Sequence, residues 1–246
     1  MKLNCDLGES YGSWTMGQDE AVMPLIDMAN VACGFHASDP SIMHDTVVLA
    51  AKYGVMIGAH PSYQDIIGFG RRSILHTPAE VRALIWYQLG ALSGICGAEG
   101  QQIAYVKPHG ALNNDMMRDP ELLQTVMEAM ATWRPGLPLM IPVSLDYPAQ
   151  QEFADRCGVP LILEAFADRA YDDTGQLVPR SQASAVHDDL TAIVDQALSF
   201  ACRGGVHSLS GRWLELPADS ICVHGDSAHA LAAIRAIREA LTSPGP

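Results

Sequence analysis

Short apolar runs alternate along this chain with longer stretches whose apolar residues recur every three or four positions. The short runs are Lys2–Cys5, Met28–Cys33, Val55–Ala59, Ile103–Val106, Leu139–Pro142, Leu161–Glu164 and Ser220–Val223. Near-continuous hydrophobicity of that length suits strands buried on both faces. Several of the longer stretches carry start signals. Asp39-Pro40 opens one before Ile42–Tyr53, with Asp39 as N-cap and Pro40 at the first helical position. Thr77 and Glu80 form a capping box, and Asp119-Pro120-Glu121 repeats the cap-and-proline device before Leu122–Thr132. Pro148–Cys157, ending near Gly158, is a shorter helix candidate, and the periodicity predicts long helices over Gln182–Cys202 and Ser227–Leu241.

Strands alternating with helices imply a parallel sheet, either a barrel or a doubly wound open sheet. Polar signatures follow strands at both ends of the chain and in between. That favours an irregular TIM-like (β/α) barrel of about seven parallel strands, since an open sheet would gather its site at one switch point. No linker or composition break divides residues 1–246, so one domain is expected. Two segments escape the pattern: Pro61–Arg72, a long loop rich in glycine and aromatics, and Gly204–Asp219, an irregular excursion before the last strand.

The signatures carry acids, bases and cations. His36, His60, His109 and His224 each follow a strand and adjoin glycine or proline. Imidazole moves protons near neutral pH or binds a metal. Asp6 and Glu9 form an acidic pair after the first strand; Glu164 and Asp168 frame the sixth strand's end with Arg169 alongside. Lys107 ends a strand beside Pro108, where it could hold a carboxylate or phosphate. Gly68-Phe69-Gly70-Arg71-Arg72 joins flexible backbone to two guanidinium groups suited to an oxyanion. Each group also has a plainer use, as a helix cap, a loop hydrogen bond, a local salt bridge or surface charge.

Composition narrows the field. With 48% hydrophobic and 17% charged residues, the chain is expected to fold rather than stay disordered. The formal net charge of −13, with no basic run, opposes a nucleic acid or an anionic membrane as partner. No run approaches the length of a membrane span, and Met1–Asp6 lacks a signal-like apolar stretch, so a cytoplasmic location is expected. The six cysteines are scattered and form no CxxC pair, which fits packing roles, with a thiol nucleophile at Cys5 or Cys33 as the alternative. There is no GxxxxGK[ST] loop, no GxGxxG, no HExxH and no GxSxG.

Taken in order, Leu3-Asn4-Cys5-Asp6-Leu7-Gly8-Glu9, Asn30-Val31-Ala32-Cys33-Gly34-Phe35-His36-Ala37, Gly58-Ala59-His60-Pro61, Gly68-Phe69-Gly70-Arg71-Arg72, Val106-Lys107-Pro108-His109-Gly110, Phe166-Ala167-Asp168-Arg169 and Cys222-Val223-His224-Gly225-Asp226 resemble the LamB/YcsF family over nearly the whole chain. The chain departs from that pattern at Asn113, where the family usually has tyrosine, at Ser38 and Ser62, where it usually has glycine, and over Gly204–Asp219.

The resemblance implies a glycoside hydrolase/deacetylase-like barrel. It also implies the A component of an ATP-hydrolysing 5-oxoprolinase, which opens the lactam of 5-oxo-L-proline to L-glutamate and works with subunits B and C (PxpB and PxpC). ATP would be a co-substrate bound with those partners, and the isolated chain would be inactive. On this view Asp6, His36, His60, His109 and Glu164 are catalytic. Glu9, Asn30, Arg71, Lys107, Asp168, Arg169 and His224 bind substrate or phosphate. One alternative is a metal-dependent amide hydrolase or sugar deacetylase, with Asp6, His36, His60 and His109 around a divalent ion. Another is a non-catalytic component that binds a small carboxylate.

Overall fold

The computed structural model describes residues 1–179, 182–223 and 228–242. From the N-terminus, β1 (Lys2–Leu7) leads into a short α1 (Asp19–Val22) and a 3-10 turn, then β2 (Met28–Ala32), α2 (Pro40–Tyr53), β3 (Met56–His60) and α3 (Pro78–Ala98). Next come β4 (Ile103–Val106), α4 (Gly110–Met116), α5 (Pro120–Trp133), β5 (Leu139–Pro142), α6 (Tyr147–Cys157) and β6 (Leu161–Phe166). The chain ends with α7 (Leu190–Arg203), β7 (Gly205–His207), β8 (Trp213–Glu215), β9 (Ser220–Cys222) and α8 (Ala228–Thr242). Strands β1 to β6 and β9 close a barrel in that order, all parallel. All seven runs read as strands are therefore the staves.

Strand register explains what lines the inside. Asn4 pairs with Met28 and Asp6 with Asn30; Asn30 pairs with Gly58, and Gly58 with Tyr105. Met140 pairs with Ile162, Pro142 with Glu164, and Asn4 with Cys222. Side chains alternate faces along a strand, so these residues share the interior. Met28, Tyr105 and Met140, with Met56 and Ile162 against them, form an apolar plug there, separate from the main core. The outward positions Leu3, Cys5, Leu7, Val31, Val106 and Leu139 join that main core with Val47, Ile85, Leu89 and Val126 of the helices. Above the plug, toward the strand C-termini, the interior turns polar. The strands are thus buried on both faces, as expected, but one face is polar in its upper layer.

The local signals appear as expected where side chains cap backbone. Asp39 accepts from Ser41 N and Ile42 N, and Thr77 and Glu80 complete their capping box. Gly54 and Gly158 end α2 and α6 in left-handed conformation. Among the described residues no helix is long and apolar enough to cross a membrane.

Two expectations are corrected. The helix predicted over Gln182–Cys202 begins only at Leu190, where Asp189 accepts from Ala192 N. The preceding apolar positions instead dock on the segment after β6: Val186 bridges Arg169, Ala170 N donates to the Ala185 carbonyl and His187 N to that of Asp168. The excursion Gly204–Asp219 contains an antiparallel hairpin, β7 with β8, and Arg203 lies over the Trp213 ring. A helix that the periodicity does not announce, α4, follows β4; it is too short to display a repeat.

Candidate active site

The polar upper layer of the barrel is one connected network. Lys107, just past β4, extends inward and places Nζ 2.8 Å from Asp6 Oδ1 and 2.8 Å from Glu164 Oε1. It also lies 3.3 Å from Asn4 Oδ1 and 3.4 Å from Cys222 Sγ. Asn30 Nδ2 donates to Asp6 Oδ1 at 2.7 Å and to Asn4 Oδ1 at 2.8 Å, and the Tyr105 hydroxyl donates to Asn30 Oδ1 at 2.6 Å. Tyr105 reaches Asn30 across Gly58, where any side chain would overlap the phenol ring. Asn4 Nδ2 donates to Ser220 Oγ at 2.9 Å.

Burial alone would drive Lys107 toward the neutral amine. Asp6 and Glu164 more than reverse this and hold its ammonium well above the usual lysine range. Cys222, beside it, is pushed upward by burial and stays a thiol. Burial likewise raises Cys5, and it pushes Cys33 to about 12, so neither supplies a thiolate nucleophile.

A second group sits at the mouth, above Asp6. His60 ends β3, His109 precedes α4, and His36 and Glu9 come from the loops after β2 and β1. His60 Nε2 is 3.4 Å from Asp6 Oδ2 and 3.0 Å from His109 Nδ1. His36 Nε2 is 3.1 Å from Glu9 Oε1. The His36 and His109 rings stack with centroids 3.8 Å apart and planes 4° apart. Burial, reinforced by neighbouring imidazoles, holds His36 and His109 well below the ordinary histidine range; burial and then Asp6 raise Glu9.

Backbone of the Pro61–Arg72 loop wraps this cluster. His109 N donates to the Pro61 carbonyl and Ala111 N to that of Gly70. Gly70 has φ 63°, and a Cβ there would stand 2.8 Å from His36 Cβ and 2.9 Å from His109 Cδ2. Only glycine fits that position.

The structure therefore brings Asp6, Glu9, Asn30, His36, His60, Lys107, His109 and Glu164 into one connected cluster at the barrel mouth. Arg71 lies exposed on the rim, its guanidinium 5.1 Å from the centre of the Phe69 ring. Its neighbour Arg72 is paired with Asp65. Arg169 donates to the carbonyls of Val178 and Ala185, and Asp168 receives His187 N at its carbonyl. His224 lies outside the described residues. Lys107, read from sequence as an anion holder, is engaged by two protein carboxylates.

Asn4, Tyr105, Ser62 and Cys222 belong to the site, although the sequence reading does not place them there. For Asn4 the signal is present: Leu3-Asn4-Cys5-Asp6-Leu7 alternates, which turns Asn4 and Asp6 to one face. The donors able to hold a metal ion are Glu9, His36, His60 and His109, whose ligand atoms lie within 4.8 Å of one another. Glu9 takes the place that the sequence reading gives to Asp6, because Asp6 Oδ1 is engaged by Lys107 and Asn30.

Comparison with known proteins agrees with this architecture. A model of the LamB/YcsF family matches residues 1–245. The chain is 55% identical over 238 residues to the A component of 5-oxoprolinase from Chromohalobacter salexigens, covering 97% of this chain and 95% of that one. It is 52% identical over 239 residues to the A component of 5-oxoprolinase from Vibrio vulnificus, covering 97% and 96%. Among solved structures, the lactam utilization protein from Thermus thermophilus matches with a TM-score of 0.91 and 41% identity, over 98% of this chain and 95% of that chain. With a whole-length family match, relatives above half identity and the same barrel, this chain belongs to the LamB/YcsF family.

Proposed function

We propose that this chain is the A component of an ATP-dependent 5-oxoprolinase, and that its barrel mouth is where the lactam ring of 5-oxo-L-proline opens. The observation that carries this reading is the match, across 97% of the chain, to relatives named as that component of 5-oxoprolinase. The mouth gathers the groups such a reaction needs.

A lactam carbonyl is a poor electrophile and its nitrogen a poor leaving group. Transfer of the terminal phosphoryl group of ATP to the lactam oxygen releases ADP and makes the ring carbon electrophilic. One water then adds to that carbon, the C–N bond breaks, and the nitrogen takes a proton. The resulting acyl phosphate reacts with a second water to give glutamate and phosphate. The sequence carries no familiar phosphate loop, so the phosphoryl step is assigned to partner subunits B and C and the ring opening to this chain.

In this scheme Asp6, with the His60–His109 pair beside it, takes the proton of the attacking water. Lys107 fixes Asp6 and Glu164 rather than holding substrate, and Arg71 on the rim receives the substrate carboxylate or the new phosphate. The proton for the leaving nitrogen comes from His36 or Glu9, which face each other at 3.1 Å.

The test is glutamate formation from 5-oxoproline and ATP, comparing the chain alone with the chain plus both partners. Activity is expected only in the mixture. Asp6→Ala and His60→Ala are each expected to lower kcat by about 100-fold or more. Wild-type turnover in both variants overturns the assignment. A loss confined to KM would instead favour a non-catalytic, carboxylate-binding role.

A further inference from the structure

The three imidazoles at the mouth are hydrogen-bonded on their outer sides. His60 Nδ1 lies 2.6 Å from the Lys107 carbonyl oxygen, and His109 Nε2 lies 2.9 Å from that of Phe69. A carbonyl only accepts, so both nitrogens carry protons. His36 Nδ1 lies 3.1 Å from Ser62 Oγ, whose hydroxyl donates to the Tyr63 carbonyl. That nitrogen too is the donor. In a neutral ring the remaining nitrogen is then a bare lone pair: Nε2 of His36, Nε2 of His60 and Nδ1 of His109.

These three lone pairs point at one another and at a carboxylate. His109 Nδ1 is 3.0 Å from His60 Nε2 and 3.8 Å from Glu9 Oε1, and His36 Nε2 is 3.1 Å from Glu9 Oε1. Electron pairs at such distances repel unless a positive centre lies between them. Protons on every ring are a costly answer, because His36 and His109 stack at 3.8 Å in a buried setting, where two cations would face each other.

We propose that Glu9, His36, His60 and His109 form the binding site of one divalent first-row transition ion, with zinc as the type case. Three imidazoles and one carboxylate suit zinc and its neighbours; magnesium and calcium prefer oxygen shells. Ring N–H groups donating to carbonyls and a hydroxyl are the outer arrangement that fixes the tautomer of metal-bound histidines. A tetrahedron at zinc–ligand distances of about 2.0–2.1 Å has edges of roughly 3.4 Å. The observed edges of 3.0, 3.1 and 3.8 Å straddle that value. The remaining separations stay within 4.8 Å, so a donor pair has at most roughly 1.4 Å to close.

The inference deepens the proposed function at the same mouth, and rests on it for the ion's role but not for its presence. When bound, the ion supplies a Lewis acid. The imidazole lone pairs and Glu9 are then occupied, so the proton-donor role given above to His36 or Glu9 applies to the ion-free mouth. Asp6, whose Oδ2 is 3.4 Å from His60 Nε2, is left to take the water's proton and pass it to the leaving nitrogen.

The experiment is a calorimetric titration of the chelator-treated full chain with zinc chloride, with metal content measured after gel filtration. About one zinc per chain is expected. His36→Ala, His60→Ala and His109→Ala are each expected to weaken binding by ~100-fold, and Ser62→Ala by ~10-fold. His44→Ala, at an exposed histidine on α2 paired with Glu99, is expected to bind as wild type. Circular dichroism establishes that each variant is folded. Nitrogen-15 spectra of the wild-type histidine rings provide a readout free of mutation: zinc is expected to move His36 Nε2, His60 Nε2 and His109 Nδ1 together. Absence of zinc uptake by the wild type, unchanged uptake in all three histidine variants, or unmoved ring signals overturns the site. Failure of the 5-oxoprolinase reading looks different: the complex makes no glutamate, whatever metal is bound.

Discussion

Lys107 and Asp6 form an ion pair, Nζ to Oδ1 at 2.8 Å, inside a barrel whose next layer down is methionine and tyrosine. Glu164 Oε1 approaches the same ammonium at 2.8 Å, so one cation holds two carboxylates together. Removing it leaves two anions facing each other with little water. Lys107→Met is therefore expected to cost about 3–5 kcal/mol in urea unfolding, the range for orphaning a buried charge. Lys107→Met with Glu164→Gln removes one of the orphans, so the double variant is expected to be more stable than Lys107→Met alone. A cost below about 1 kcal/mol for the single variant would show that the pair is not desolvated as described.

Asp39 links acid stability to the first mouth loop. Its carboxylate accepts from Gly12 N in that loop, and from Ile42 N and Ser41 N at the start of α2. Those three bonds, Gly12's first, hold it below the usual aspartate range. A depressed folded-state pKa means that the stabilisation is present above about 3.9, the unfolded value, and is lost as pH falls through the lower folded value. Asp39→Ala is expected to cost about 1 kcal/mol at pH 7. The stability gap between wild type and Asp39→Asn is expected to narrow as pH falls from about 5 toward 2. A gap that stays constant over that interval contradicts the charge-assisted cap.

The staves were legible because burial on both faces leaves uninterrupted apolar runs, and most helix starts because their caps are local. Barrel closure also followed from sequence, since the first and last strands had to meet for the signatures to share one mouth, and Lys2-Leu3-Asn4 pairs directly with Ser220-Ile221-Cys222. The site was legible as a set but not in its roles. Lys107 looked like a ligand-binding cation because the sequence does not show that Asp6 and Glu164 both reach it. Tyr105 was hidden inside a run read as apolar, and Asn4 showed only through its alternation with Asp6 along the first strand. The stretch before α7 misled for the opposite reason: Ala185 and Val186 are apolar for docking against Arg169 and Ala170, and that spacing imitates a helical repeat.

Ser38 holds its backbone with φ at 74°, in the left-handed region that favours glycine. Its N–H donates to the Ser10 carbonyl, which ties the β1 loop to the β2 loop beside His36. A side chain in that conformation costs about 1 kcal/mol, partly offset by the smaller freedom of serine in the unfolded chain. Ser38→Gly is expected to be neutral or to stabilise by up to about 1 kcal/mol, read as an unchanged or raised Tm. A clear fall in Tm would mean that the serine hydroxyl contributes more than the strain removes.

Gly70 is the position where backbone and imidazole cluster constrain each other most tightly. With φ at 63° it already occupies a conformation that L side chains rarely adopt, and its missing Cβ is the space that His36 and His109 fill. Gly70→Ala must either push the stacked rings apart or shift the loop, and the loop is anchored by Ala111 N on the Gly70 carbonyl. The expected cost in stability is about 1–3 kcal/mol, from overpacking together with left-handed strain. The effect on the site is expected to be larger: ring displacement of about an ångström corresponds to roughly 100-fold in kcat. Ser73→Ala makes the comparison, since it trims an exposed hydroxyl on Asp115 just past the same loop, without a change in φ or at the rings. If Gly70→Ala and Ser73→Ala both turn over like wild type in the reconstituted complex, the His36–His109 stack is dispensable and the mouth chemistry rests on Asp6 and His60 alone.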